Sequence, residues 1–240
     1  MAQVMVPFIN GKGGVGKTAL ACSYAAFLAL QGADVTLLDL NEEQRTALAW
    51  SQVRNHNSIL PKVRVEAANP RQALESVGRH DFLLVDTPGW TDKTTLSLAK
   101  RATFMVIPTG PNATYELAPT VRLLHGLRAE GIEQWRMGVV LSRFSSDDKV
   151  RADEEQLARA YLKEAGYTAL DGCLPNASAF TAGLAEGYGL SEIAGAKELS
   201  LSATRMMESI GKGLASAERR LQRSGMADRG TERDRGGRDV

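Results

Sequence analysis

Eight consecutive residues, Gly11-Lys12-Gly13-Gly14-Val15-Gly16-Lys17-Thr18, have the types and spacing needed to hold a chain of phosphates. They satisfy G-x-x-x-x-G-K-[ST] at every position. Glycines let a backbone curl with its amides turned inward. Those amides, with the N-terminus of a helix opening near Thr18 and Ala19, present positive partial charge to phosphate oxygens. Lys17 adds a point charge at the outer phosphates, and the Thr18 hydroxyl can ligate Mg2+. Lys12 is a second lysine in the loop, and phosphate binding within one subunit does not require it. Two carboxylates, Asp39 and Asp86, each close an apolar run, so both fall where a buried strand would end.

The elements that must position these groups can be read from the same pattern. Val4 to Ile9 is a short apolar run stopped by the glycine cluster, a buried strand weakened by Pro7. Thr18 to Leu30 is rich in Ala and Leu and reads as a helix, with Gly32 placed to cap it. Val35 to Leu38 is a second strand, which completes a βαβ unit. Further strands are expected at Val63–Val65, Phe82–Val85, Phe104–Ile107 and Met137–Leu141. Helices are expected at Arg71–Val77, Tyr115–Glu130, Glu154–Ala165 and 197–221. In the last, Leu199, Ala203, Met206, Ile210, Leu214, Ala217 and Leu221 recur at three or four residues. Apolar runs without strict alternation suit a parallel sheet covered on both faces. The expected fold is therefore α/β, a doubly wound, mostly parallel sheet with helices on both faces. Asp39, Asp86 and the loop should then converge at the carboxyl ends of the strands.

Composition excludes several classes. The 240 residues are 43% hydrophobic and 24% charged, which rules out wholesale disorder. With 29 basic and 28 acidic residues the chain is not polybasic overall, although a local patch is allowed. Cys22 and Cys173 are too few for a disulfide framework or a cysteine-ligated cluster within one chain, and a cytoplasmic setting follows by default. Residues 1–218 read as one domain. From Arg219 to Val240 there are seven arginines and no aromatic residue, so an unstructured tail is expected.

The loop resembles that of the ParA/MinD family of P-loop ATPases, whose deviant Walker A loop reads K-G-G-x-G-K-[ST]. Asp39-Leu40-Asn41-Glu42-Glu43-Gln44 is similar to the family's D-x-D-P-Q segment, Phe82 to Gly89 to its Walker B and switch segment, and Leu184 to Gly189 to a late switch-like turn. The resemblance implies the P-loop NTPase fold, ATP and Mg2+ as cofactors, and a homodimer formed on ATP binding. Lys12 would cross to the partner's phosphates while Lys17 acts within its own subunit. Asp39 and Asp86, with Thr18, would lie near the metal. The family's second aspartate, thought to position the attacking water, falls at Asn41, which implies slow hydrolysis; Glu42 or Glu43 could serve after a small shift. Relatives place Asn before Arg143, near the adenine, where this chain has Ser142; an ordinary strand end is the alternative. Trp90 to Thr95 would report nucleotide state.

Members of this family position cargo. The short ParA type, which this chain resembles most, binds DNA non-specifically as an ATP dimer, and Arg205, Lys212, Arg219, Arg220 and Arg223 are the candidates for that contact. A small DNA-binding or adaptor partner would stimulate hydrolysis, and nucleoid association would follow. The alternatives are a ParA-like accessory ATPase of conjugative DNA transfer and a MinD-like ATPase that positions membrane or protein partners. A membrane is not expected as a partner, because Ser209 to Arg223 has no Phe or Trp to anchor it.

Overall fold

The computed structural model describes residues 4–76, 81–89 and 93–235. Among these, seven strands form one parallel sheet in the order β3-β2-β4-β1-β5-β6-β7. The strands are β1 (Val4–Phe8), β2 (Val35–Asp39), β3 (Arg64–Ala67), β4 (Phe82–Asp86), β5 (Met105–Thr109), β6 (Met137–Phe144) and β7 (Ala169–Pro175). Helices α1 (Lys17–Leu30), α2 (Thr46–His56), α3 (Pro70–Glu75), α4 (Lys93–Arg101), α5 (Ala118–Ala129), α6 (Asp148–Glu164), α7 (Ser178–Ala185) and α8 (Lys197–Arg235) surround it.

The apolar strands still alternate in three dimensions. Val4, Val6 and Phe8 pack with α1, α2 and α8, whereas Met5 packs with Leu98 of α4 and Ala73 of α3 on the opposite face. A third cluster joins Ile107, Val139 and Leu141 to Leu124 of α5 and Leu162 of α6. Pro7 is tolerated inside β1 because of its direction. Met5 O accepts from Thr103 N, and Ile9 N donates to Val106 O, so odd-numbered residues face β5. The donor missing at Pro7 therefore falls on that side, while β1 and β4 keep register from Val4↔Phe82 to Phe8↔Asp86.

Several boundaries differ from expectation, each for a local reason. Helix α6 begins at Asp148 rather than Glu154, because the Asp147 side chain accepts from Val150 N and caps it earlier. Helix α5 begins at Ala118, preceded by one π-helical turn over Ala113–Leu117. Val77, expected to end a short helix, lies outside the described residues. The expected unstructured tail is helical backbone as far as Arg235. No proline interrupts it, and an existing helix extends without a new nucleus.

Candidate functional site

Three adjacent strands bring the sequence candidates together. Asp39 ends β2, Asp86 ends β4 beside it in register, and β1, on the other side of β4, runs into the phosphate loop. β1 also marks the point where strand order reverses, the place where open α/β sheets bind ligands. There a cleft of about 490 Å³ is bounded by Gly13, Gly14 and Gly16 to Leu20, by Asn41, Gln44 and Thr46, and by Thr87 to Gly89. Its far end is formed by Leu174 to Ala177, by Phe180, Thr181 and Leu184 of α7, and by Leu190.

The loop is held from below. Gly14 and Gly16 take φ of 77° and 94°, which only glycine adopts freely. Val15 is buried and its carbonyl accepts from Ser142 Oγ at 2.7 Å. Arg143, itself at φ 64°, donates from Nη1 to Gly14 O. Ser142 and Arg143 are thus supports of the loop, neither an ordinary strand end nor a pair engaged solely with a base. Asn10, which sequence reasoning missed, braces the loop's start: Oδ1 accepts from Lys12 N at 2.9 Å, and Nδ2 donates to Pro108 O and Thr120 Oγ1. Its position directly before Gly11 was the available signal. Gly89 lies against the loop as well, since a Cβ there would sit 3.0 Å from Gly11 O.

The charged groups divide cleanly. Lys17 is only 7% exposed, and its Nζ donates to Lys12 O at 3.0 Å. Burial lowers its ammonium pKa, opposed by the negative charge of Asp86. Lys12 is exposed and contributes nothing to the lining of the cleft; it faces Arg122 and Leu123 of α5 across a separate depression.

Asp86 is 1% exposed, and burial pushes its carboxyl up to about 7. The Thr18 hydrogen bond opposes this, Asp39 adds to it, and Lys17 opposes it. Asp86 Oδ2 accepts from Thr18 Oγ1 at 2.6 Å, whereas Oδ1 has no protein partner. A buried carboxylate oxygen without a donor, beside a threonine hydroxyl, suits a hard divalent cation that takes its remaining ligands from phosphates and water. No group of three or more His, Cys, Asp or Glu able to hold a metal occurs among the described residues, so a metal here needs those outside ligands. The residues present therefore fit a nucleoside triphosphate with Mg2+. Replacing Asp86 by Asn should bring nucleotide affinity measured with Mg2+ close to that measured with EDTA, whereas the wild type is expected to show a gap of about 10-fold or more. Equal gaps in the two proteins would remove Asp86 from the metal site.

Asp39 is fully buried, and both its oxygens are engaged by backbone amides, Oδ1 by Asn41 N at 3.0 Å and Oδ2 by Leu48 N at 3.1 Å. Its clearest work is to fix the turn that presents Asn41. The Asn41 amide is itself bonded to Gln44, Oδ1 accepting from its N and Nδ2 donating to its Oε1, each at 3.1 Å. Glu42 and Glu43 are exposed and do not line the cleft. Of the segment expected to report nucleotide state, Trp90 to Asp92 lie outside the described residues, and Lys93 to Thr95 open α4.

The candidate DNA contacts lie elsewhere, on α8. At 3.6 residues per turn, Arg205, Lys212, Arg219 and Arg223 fall within about 40° of one another, interrupted by Glu208. All are exposed, opposite the face carrying Met206, Ile210 and Leu214. Arg220 stands apart, its guanidinium 5.8 Å from the centre of the Trp135 ring.

Comparison with known proteins accords with this geometry. Structural similarity extends to the cell division ATPase MinD of Pyrococcus furiosus, with TM-score 0.68 and 18% identity over 88% of this chain and 99% of that one. A McdA–ATP complex of Cyanothece gives TM-score 0.66 and 13% identity, over 89% and 97%. A plasmid partition protein of Borrelia burgdorferi bound to AMPPNP gives TM-score 0.62 and 13% identity, over 88% and 99%. In sequence, maintenance of carboxysome distribution protein A of Gloeobacter kilaueensis is 35% identical over 124 residues, a match spanning 50% of this chain and 55% of that protein. The model of the CobQ/CobB/MinD/ParA nucleotide binding domain matches residues 6–187, about three quarters of the length, and the chain belongs to that family.

Proposed function

We propose that this chain is an ATP-dependent dimerising switch ATPase that partitions or positions DNA, through binding of its ATP dimer to non-specific DNA. ATP with Mg2+ occupies the cleft, phosphates on the glycine loop. The base lies toward Leu174, Pro175 and Phe180, where Asn176 offers both a donor and an acceptor.

One observation carries the dimer: the placement of the two lysines. Lys17 is buried within its own site, while Lys12 stands exposed outside it, five residues away on the same loop. A cation that cannot serve its own phosphates is free to serve those of a second copy. Two lysines on one triphosphate would offset charge developing during phosphoryl transfer, the work done elsewhere by an arginine finger. The basic stripe of α8, doubled in a dimer, supplies a surface for phosphate backbones. No helix among the described residues is long and apolar enough to cross a membrane.

The deciding experiment measures mass in solution and binding to random-sequence DNA, each with ADP, ATP and a non-hydrolysable ATP analogue. Dimers that bind DNA are expected with the two triphosphates only, with a log–log salt slope of about −0.9 per phosphate neutralised. Equal DNA binding in all three states would remove the switch. The Gloeobacter relative favours a second reading of the cargo, a protein assembly in place of a replicon. A cargo-bound adaptor that stimulates hydrolysis would be common to both.

Asn41 sets the expected rate. An amide can orient water but is a poor base, so Asn41→Asp should speed single-turnover hydrolysis by about 10-fold or more. An unchanged rate would show that this position does not limit the step.

A further inference from the structure

The cleft has two walls that come from distant parts of the chain. The phosphate-side wall includes Asn41, Gln44 and Thr46, the last being the first residue of α2. The opposite wall is α7 and the segment after it, through Phe180, Leu184 and Leu190. Helix α2 touches both. Its first turn is bound to Asp39 through Leu48 N, and Arg45, just before it, donates from Nη1 to Asp39 O at 3.3 Å.

About 12 Å further along α2, its other end grips residues 186–192. Trp50 Nε1 donates to Tyr188 O at 3.1 Å, Arg54 Nη1 to Gly187 O at 3.0 Å, and Asn57 Nδ2 to Glu186 O at 2.9 Å. Arg54 is wholly buried and meets Glu192 with two bonds, at 2.7 and 2.8 Å. Glu192 Oε2 also accepts from Gly189 N at 2.6 Å, which fixes the carboxylate within the same turn. Leu190, two residues before Glu192, lines the cleft, and its N donates to Ser23 Oγ on α1.

A bidentate ion pair with the Arg54 side chain wholly buried and that of Glu192 only 10% exposed is geometrically exacting, because Arg54 left alone would be an uncompensated buried charge. Neither Arg54 nor Glu192 lines the cleft, so whatever they do for a ligand there they do through the walls. We propose that Arg54 and Glu192 are a positioning pair, with α2 as the strut, that sets the distance between the phosphate wall and the base wall for a ligand spanning both. This rests on the reading of the cleft as an ATP site.

The span distinguishes positioning from bulk stability. A ligand that touches both walls should feel the pair, and one that touches only the phosphate loop should not. Calorimetric titrations would compare the wild type with E192Q, using a non-hydrolysable ATP analogue with Mg2+ and, separately, inorganic tripolyphosphate with Mg2+. For E192Q the Kd of the analogue should rise about 10-fold at unchanged stoichiometry, while that of tripolyphosphate stays within about twofold. A fall in stoichiometry alone, with Kd unchanged, would mean that the pair serves folding only and would overturn the proposal. An equal rise for both ligands would overturn it too, by locating the damage in the loop. Where tripolyphosphate binds too weakly to read, stoichiometry against Kd decides. Should E192Q fail to fold, R54M/E192M, which replaces the pair by apolar side chains, carries the same comparison. A wild type that binds no analogue would sink the nucleotide reading itself, before any variant is compared.

Discussion

Lys12→Ala is expected to slow single-turnover ATP hydrolysis by about 10³- to 10⁵-fold, the range over which a cation supplied in trans acts in phosphoryl transfer. Nucleotide affinity of the monomer should change little, because Lys12 lies outside the cleft of its own subunit. The Lys12 backbone, which accepts from Lys17 Nζ and donates to Asn10 Oδ1, survives the change. Lys17→Ala should do the reverse and abolish binding by the monomer. Light scattering with the non-hydrolysable analogue separates the two: the Lys12 variant stays monomeric at concentrations where the wild type dimerises. An ATP-induced dimer of normal affinity from the Lys12 variant would end the in-trans account.

The second large effect is on stability. Gly187 takes φ of 88°, and a Cβ there would lie 2.5 Å from Arg54 N and 2.6 Å from its Cα. Neither contact involves the movable end of a side chain, so relief requires α2 to shift. The left-handed conformation costs roughly 1–2 kcal/mol for a residue with a Cβ. Overpacking adds about 1–3 kcal/mol. Gly187→Ala should therefore destabilise by about 2–5 kcal/mol, read as a lower urea midpoint in tryptophan fluorescence. A loss below about 1 kcal/mol would show that α2 yields easily at this end, and would weaken the rigid contact inferred between α2 and residues 186–192.

How much was legible depended on how local the code was. The first strand, loop and helix are written within a single stretch, and the glycine loop states its geometry residue by residue. The alternation of strand and helix likewise announced a parallel sheet, and the ends of β2 and β4 placed Asp39 and Asp86 correctly on one edge. β7 escaped because Asp171 and Gly172 interrupt its apolar run. Its bulged pairing with β6 is completed by Arg159, whose guanidinium donates to Leu170 O and Gly172 O from another element. α2 escaped for the opposite reason: the face it buries includes Trp50 and Arg54 with few aliphatic side chains, so it carries little hydrophobic period. The far wall of the cleft could not be read from the loop motif, since Asn176, Phe180 and Leu190 are set by long-range packing. The support of the loop by Ser142 and Arg143 joins residues about 130 positions apart in sequence, and no local pattern encodes that contact.

The resting place of the Lys17 ammonium has one more consequence. It sits on the carbonyl of Lys12, the residue proposed above to reach a second copy of the chain. A charged phosphate oxygen is a stronger acceptor than a neutral carbonyl, so on the proposed reading the Lys17 ammonium would leave Lys12 O for bound phosphates. That exchange would free the Lys12 carbonyl, while its N stays bonded to Asn10 Oδ1. In the proposed dimer, one acceptor would thus couple the filling of a site to readiness to pair.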